Sequence, residues 1–322
     1  MKKVFLIAAA GTLCALLSGC GIVGRFYDMF ERKNYTVDTF EYSAADIDAV
    51  EIDWASGSVN IVESDSASLT VTEALSSTSE AHKMYCSIDG RTLKIKFCKS
   101  GKAGIFLPRM KLLTVEVPRG VSVNAESASA EITLEAESLA SVELHSASGG
   151  ISAGDFSAES VYTDSASGEV SLGKVCSAGS IEVYTASGEI SADVLSAKES
   201  ISAESTSGSI SIGTLEAMKG ASLDNASGGV KINRISAPKL YIQTASGRIQ
   251  AGLASCEDAE MSSGSGSVRI ELLEDLGATV RCKTGSGRFE HGDCFLSGDE
   301  YIFGSGACHI SVSTASGGIK IR

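Results

Sequence analysis

The stretch Ile181-Glu182-Val183-Tyr184-Thr185-Ala186-Ser187-Gly188-Glu189-Ile190-Ser191-Ala192 carries the pattern that decides the fold. Apolar and polar residues alternate on both sides of Ser187-Gly188. Period-two alternation broken by a Ser-Gly step predicts strand, turn, strand. The unit then repeats along the chain. Its marker serines are Ser129, Ser148, Ser167, Ser187, Ser207, Ser227, Ser246, Ser265 and Ser286, spaced 19 to 21 residues apart, and Thr314-Ala315-Ser316-Gly317-Gly318-Ile319 is a last copy. Self-similarity at such a period is the mark of stacked repeats.

Three apolar columns recur in each unit. One precedes the turn (Val161, Ile181, Ile201), one follows it (Ile190, Ile210, Val230), and one lies eight residues after the marker (Val175, Leu195, Leu215). Three inward columns fit a three-sided coil whose neighbours pair in parallel at about 4.8 Å. The expected fold is therefore an all-β, single-stranded parallel β-solenoid, or β-helix, right-handed, with 19–20 residues per coil. A polar column sits two residues before each marker, as in Ser165, Thr185, Ser205, Asn225 and Thr244. Alternation points these side chains inward, where their polar atoms need hydrogen bonds to the turn or to one another. The glycine after the marker is expected to supply a positive φ; at Ser129-Ala130 an alanine takes its place, so that turn is expected to differ.

The flanks are less regular. Residues 46–118 contain a degenerate unit, Val50-Glu51-Ile52-Asp53-Trp54-Ala55-Ser56-Gly57, and a tight hairpin at Asp89-Gly90. They read as an N-terminal β cap with irregular first coils, followed by regular repeats over 119–322. Residues Cys294–Phe303 break the period and are expected to loop out before the final coil. At the start of the chain, Lys2 and Lys3 precede an apolar run from Val4 to Leu17 that is too short for a comfortable membrane span. It ends in Leu17-Ser18-Gly19-Cys20, which resembles the bacterial lipoprotein box. That resemblance implies cleavage of residues 1–19, a lipid on Cys20, and an extracytoplasmic protein held to the bacterial cell membrane, with 20–45 as tether. Two acyl chains would hold it there stably.

Cysteine chemistry is sparse. Beyond Cys14 and Cys20, the remaining seven form no CxxC pair, so a zinc site has little support. Cys282 and Cys308 fall within apolar alternation and read as small hydrophobic filler rather than a disulfide framework. The stretch Leu113-Thr114-Val115-Glu116-Val117-Pro118-Arg119-Gly120 followed by Ser-Gly-x-Ile units, with the ending Ser316-Gly317-Gly318-Ile319-Lys320-Ile321, resembles the bacterial putative-adhesin domain family of unknown function over residues 46–322. The resemblance implies an envelope-exposed β-solenoid, in some members accompanying envelope-stress regulators. It carries over no catalytic residue.

A search for reaction chemistry returns little. His82, His145, His291 and His309 are scattered without metal-binding spacing, and nothing implies a cofactor. Glu143, Asp164, Glu182, Glu204 and Asp224 could pair for acid–base work or hold calcium, but solvated carboxylates are commoner. Enzymes that act on polysaccharides also use β-helices, and fold alone does not decide the matter. The expectation is a non-enzymatic interaction module, with a passive structural or envelope-stress-associated spacer as the alternative and a polysaccharide-active enzyme as a minor one.

The net charge of −13, from 27 Lys and Arg against 40 Asp and Glu, argues against a nucleic-acid partner. The charge is unevenly placed: residues 120–227 hold 3 Lys and Arg against 16 Asp and Glu, whereas residues 228–322 hold 10 of each. Arg248 and Arg288 take the position after Ser-Gly where Glu131, Glu169 and Glu189 stand earlier, and Lys231, Arg269 and Lys320 share a second outward column. With Arg281 and Lys283 they make a candidate surface for an anionic cell-wall polymer, a glycan or an envelope protein. Tyr162, Tyr184 and Tyr241 are candidate stacking residues for sugars.

Overall fold

The computed structural model describes residues 36–77, 79–99 and 111–322. Two sheets of 15 strands run the length of the stack. Each regular coil gives one strand to each sheet, with the Ser-Gly turn between them. Ile181–Thr185 lies in the second sheet, between Ser160–Ser165 and Ser200–Ser205, with Ile181 opposite Val161 and Ile201. After the turn, Ile190–Ala197 lies in the first sheet between Val170–Ser177 and Ile210–Ala217, with Ile190 opposite Val170 and Ile210. All these ladders are parallel, and the expected β-solenoid is the fold. Its core is the predicted set of columns: Ile190, Ile210 and Val230 are buried, and each such side chain removed from water is worth about 1.5–3 kcal/mol.

The third column does not form a third sheet. Leu195 lies on the same first-sheet strand as Ile190, past two successive outward residues, Asp193 and Val194, where alternation slips. The three expected columns are thus carried by two sheets, two of them on one strand.

The corner hydroxyls form a ladder. Thr185 Oγ1, Ser205 Oγ and Thr244 Oγ1 each accept from the N–H of the turn glycine three residues on, at 2.9 Å in all three cases. Each also donates to the glycine carbonyl of the coil beneath, Thr185 to Gly168, Ser205 to Gly188 at 3.3 Å and Thr244 to Gly228 at 3.1 Å, and Ser263 does the same to Gly247 at 3.0 Å. One side chain therefore satisfies a turn and ties two coils together. The glycines, however, are not there for positive φ, since none of the turn glycines from Gly149 to Gly317 that follow a marker serine adopts it. They are there because coils approach closely. A Cβ on Gly208 would stand 1.7 Å from the Gly188 carbonyl oxygen, and one on Gly168 would stand 2.0 Å from that of Gly149. At Ala130 the coil beneath ends differently, in Gly57 at φ +99°, and Ser127 still caps the turn at 2.7 Å.

At the N-terminal end, Thr36–Ser43, Ser68–Leu75 and Lys111–Val117 pair antiparallel and finish the first sheet. The chain thus joins the sheet at Thr36, inside the segment expected to be tether. The hairpin Tyr85–Asp89 and Thr92–Lys96 turns at Gly90 as expected and finishes the second sheet. A buried ion pair fastens this cap. Lys111 Nζ lies 2.8 Å from Glu73 Oε1, with both side chains 1% exposed. Lys111 also donates to the carbonyls of His82 and Phe97 and lies over the Phe97 and Trp54 rings. Glu73 accepts from the Met84 N–H at 3.0 Å. Burial pushes the Glu73 carboxyl up and the Lys111 ammonium down, each opposed by the other's charge.

The C-terminal end departs from chain order. The final repeat, Cys308–Thr314 and Ile319–Ile321, is not the last layer. Cys308–Thr314 pairs in parallel with Asp258–Ser263 on one side and Ala278–Thr284 on the other. Ile319–Ile321 likewise lies between Val268–Leu272 and Phe289–His291. The corner ladder follows the same order, Thr314 donating to Gly266 and Thr284 to Gly317, both at 3.1 Å. The segment expected to loop out is instead the hairpin Phe295–Ser297 and Glu300–Phe303, which extends the second sheet beyond Ala278–Thr284. Cys308 is bonded to Cys256, with Cα atoms 5.5 Å apart, so its reading as apolar filler is corrected. Insertion of the last repeat beside Asp258–Ser263 is what brings the two cysteines together.

Candidate functional site

Four cationic side chains converge on the outer face of the first sheet near its C-terminal end. The outward column there reads Lys231, Gln250, Arg269, Lys320, Glu290 in register. The neighbouring column reads Arg248, Ser267, Gly318, Arg288, as successive backbone bonds show. Arg248, Arg269, Arg288 and Lys320 line a cleft of about 210 Å³ with Ser267 and Glu290. Lys231 lies two layers from Arg269 and outside the cleft lining.

The cleft holds four cations around one carboxylate. Lys320 Nζ pairs with Glu290 Oε2 at 3.0 Å, and Arg248 Nε donates to Ser267 Oγ at 3.1 Å. Arg269 and Arg288 are exposed, with no ion pair among the described residues. The Lys320 hydrogen bond and charge, with the added pull of Arg288 and Arg269, hold the Glu290 carboxyl below the ordinary carboxylate range. Glu290 is therefore ionised at neutral pH, and the surplus of positive charge remains. Exposed guanidinium groups offer planar forked donors that match phosphate or carboxylate oxygens.

Sequence reasoning found the four cations and missed Glu290 and Ser267. Lys320 was assigned to the last layer, whereas it separates Arg269 from Glu290. Arg281 and Lys283, also candidates, lie on the second sheet in Ala278–Thr284, away from the cleft; Arg281 pairs with Glu300 at 2.9 Å. The tyrosines divide. Tyr162 and Tyr184 stand on adjacent second-sheet strands with ring centroids 5.5 Å apart, and His145 extends the row at 5.2 Å from Tyr162. Tyr241 shares a column with Tyr162 but is four strands along. The carboxylates Glu143 and Glu182 flank Tyr162, and Asp164 and Glu204 flank Tyr184. Among the described residues no group of three or more His, Cys, Asp or Glu is placed to hold a metal ion. Cys20 lies outside the described residues, among which no helix is long and apolar enough to cross a membrane.

Solved structures similar to this chain are distant in sequence. One is a putative lipid binding protein from Parabacteroides distasonis, 16% identical, covering 89% of this chain and 97% of its own, with a TM-score of 0.44. Others are a putative adhesin from Parabacteroides merdae (13% identical, 90% and 98% covered, TM-score 0.35) and a putative adhesin from Bacteroides fragilis (12%, 89% and 97%, TM-score 0.33). Among curated proteins none matches. A family model does match, over residues 47–322, and on that span the chain belongs to the Toastrack family, DUF4097.

Proposed function

We propose that this protein is a non-enzymatic interaction module of the bacterial cell envelope, anchored to the membrane by lipid on Cys20. Its cleft of Arg248, Arg269, Arg288 and Lys320 would engage an anionic wall polymer. The observation that carries the reading is the cleft itself: four cations around one carboxylate on a chain whose net charge is −13. A surface that merely keeps an acidic protein soluble has no need to gather cations from four separate coils. The acidic coils nearer the N-terminus would repel the anionic membrane surface and favour a stack that stands away from it. The leader ending in Leu17-Ser18-Gly19-Cys20 supports the location.

The test is co-sedimentation with purified cell walls before and after their phosphodiester polymers are removed. Binding should fall with added salt, because exposed charges are screened within about 8–10 Å at physiological ionic strength. It should also fall when Arg248, Arg269 and Arg288 are replaced together by Ser. Binding that ignores salt and survives the triple replacement would remove the polymer reading and leave a passive spacer. Separately, Cys20→Ala should release the protein from membranes into the soluble fraction.

A further inference from the structure

The second sheet carries a different surface on its outer face. A groove of about 920 Å³ runs along the stack from the strand Ser200–Ser205 to the strand Glu300–Phe303. Small hydroxyl residues, Ser202, Ser222 and Ser311, line it, and Tyr241 and His309 are its rings. Charges of both signs rise from it. Lys239 and Asp258 are register partners on neighbouring strands yet form no ion pair, and Glu260 beside Tyr241 forms none either, among the described residues. These groups are free to bond a ligand. The apolar residues of the same strands, such as Leu240, Ala259 and Ile310, are buried on the opposite side.

This chemistry selects among ligands. Peptides bind by adding a strand to a sheet edge or by sinking apolar anchors into pockets; the groove lies on the sheet's outer face, over strands whose backbones are paired and whose apolar side chains turn inward. Polyanions need a surplus of cations, and Asp258, Glu260 and Glu300 deny it here. A neutral sugar chain fits all three features. Its hydroxyls both donate and accept, so carboxylates, ammonium groups and serines all serve it. Its C–H faces stack on a tyrosine ring. Its linear run of sugars can also lie along the stack, across strands about 4.8 Å apart, so that several coils bind one chain. The face continues toward the N-terminus through Glu182 to Tyr162, where the row His145, Tyr162 and Tyr184 offers further rings.

We propose that the outer face of the second sheet is a binding track for a linear, uncharged, β-linked glycan laid along the stack, with Tyr241 and Ser222 at its centre. The proposal depends on neither the lipid anchor nor the cationic cleft of the first sheet. The full mature chain is titrated with chito-, cello- and xylo-oligosaccharides of two to six sugars, followed by calorimetry and amide chemical shifts. Affinity should rise with each added sugar, and shifts should map to the strands from Ser200 to Ser311. Tyr241→Ala and Ser222→Trp should each weaken the hexasaccharide about tenfold, equivalent to about 1.4 kcal/mol. Arg269→Ser should leave it unchanged while weakening wall-polymer binding, which separates failure of this proposal from failure of the other. The inference is overturned if none of the three series binds at millimolar concentration, if affinity does not grow with length, or if a folded Ser222→Trp variant binds as well as the parent. Binding of an unstructured peptide in the groove with no sugar binding would overturn it too.

Discussion

Gly149 and Gly150 are adjacent, and the fold assigns them opposite tolerances. A Cβ on Gly149 would lie 1.9 Å from the Ala130 carbonyl oxygen and 2.5 Å from its carbon, whereas one on Gly150 would meet nothing nearer than the Glu169 carbonyl oxygen at 3.6 Å. Neither has a positive φ. The first contact is with backbone, so no side-chain rotation relieves it. Two coils must separate by more than an ångström, which stretches the bond from the Ala147 N–H to the Ser127 carbonyl, now 2.9 Å, and loosens the buried columns beside it. Overpacking of this kind costs about 1–3 kcal/mol, and a clash with backbone belongs at the upper end. Gly150→Ala adds no clash and reduces the freedom of the unfolded chain, so it should be neutral or stabilise by up to about 1 kcal/mol. Urea unfolding of the two variants measures the difference. Hydrogen exchange of the strands Ser141–Ser146 and Ile151–Ala153 locates it, since repeat stacks need not unfold as one unit. Equal stability of the two variants would refute the argument that close approach between coils fixes the turn glycines.

Ile210→Asp buries a charge between Ile190 and Val230 and should cost several kcal/mol, while Ser209→Asp on the outer side should cost about 0.5 kcal/mol or less; comparable melting shifts would contradict the strand phase. Asp275 adopts φ 56° next to Glu274 at φ 55°, so Asp275→Gly should raise stability by about 1 kcal/mol in denaturant titration. Burial raises the Glu63 carboxyl, but hydrogen bonds from Arg119 and the Glu137 N–H outweigh it and hold it below the ordinary carboxylate range. Its stabilisation is present above the unfolded carboxyl's pKa and lost as pH falls through the lower folded value, so Glu63→Gln should flatten the acid side of a stability–pH curve. The Cys256–Cys308 bond closes a separation of 52 residues, worth about 4 kcal/mol by loop entropy. Reduction should speed hydrogen exchange in Cys308–Thr314 and Ile319–Ile321 well before the central coils; uniform protection would count against this.

The central repeats were legible because every level agreed. Ile210 stands between Ile190 and Val230, and Thr185 and Ser205 cap their turns, as alternation alone implies. The order of the last two layers was not legible. Ala278–Thr284 and Cys308–Thr314 match the same pattern, and nothing local says which pairs with Asp258–Ser263. The disulfide was hidden for the same reason, because Cys256 and Cys308 meet only through that pairing. Glycine was misread because positive φ and close backbone approach leave the same trace in a sequence. The strand Thr36–Ser43 was missed because it pairs antiparallel at an end and carries no Ser-Gly marker. In the cationic cleft, outward phase revealed Arg269 and Lys320 as one column, but Glu290 entered it only through the inserted layer.

That insertion also bears on how the molecule is made and how it can change. A chain that emerges N-terminus first can zip its coils in order as far as Val268–Leu272. The repeat at 278–291 then has to wait, or settle one layer too low, until residues 308–321 arrive to take the place between. Residues 308–321 fill an internal layer, so a protease that removes them takes out an internal course and not the top. Duplication of coils, an easy route to a taller stack elsewhere in this chain, is harder after Ser265: a unit copied from residues 278–291 would still have to leave the layer beside Asp258–Ser263 open for residues 308–321.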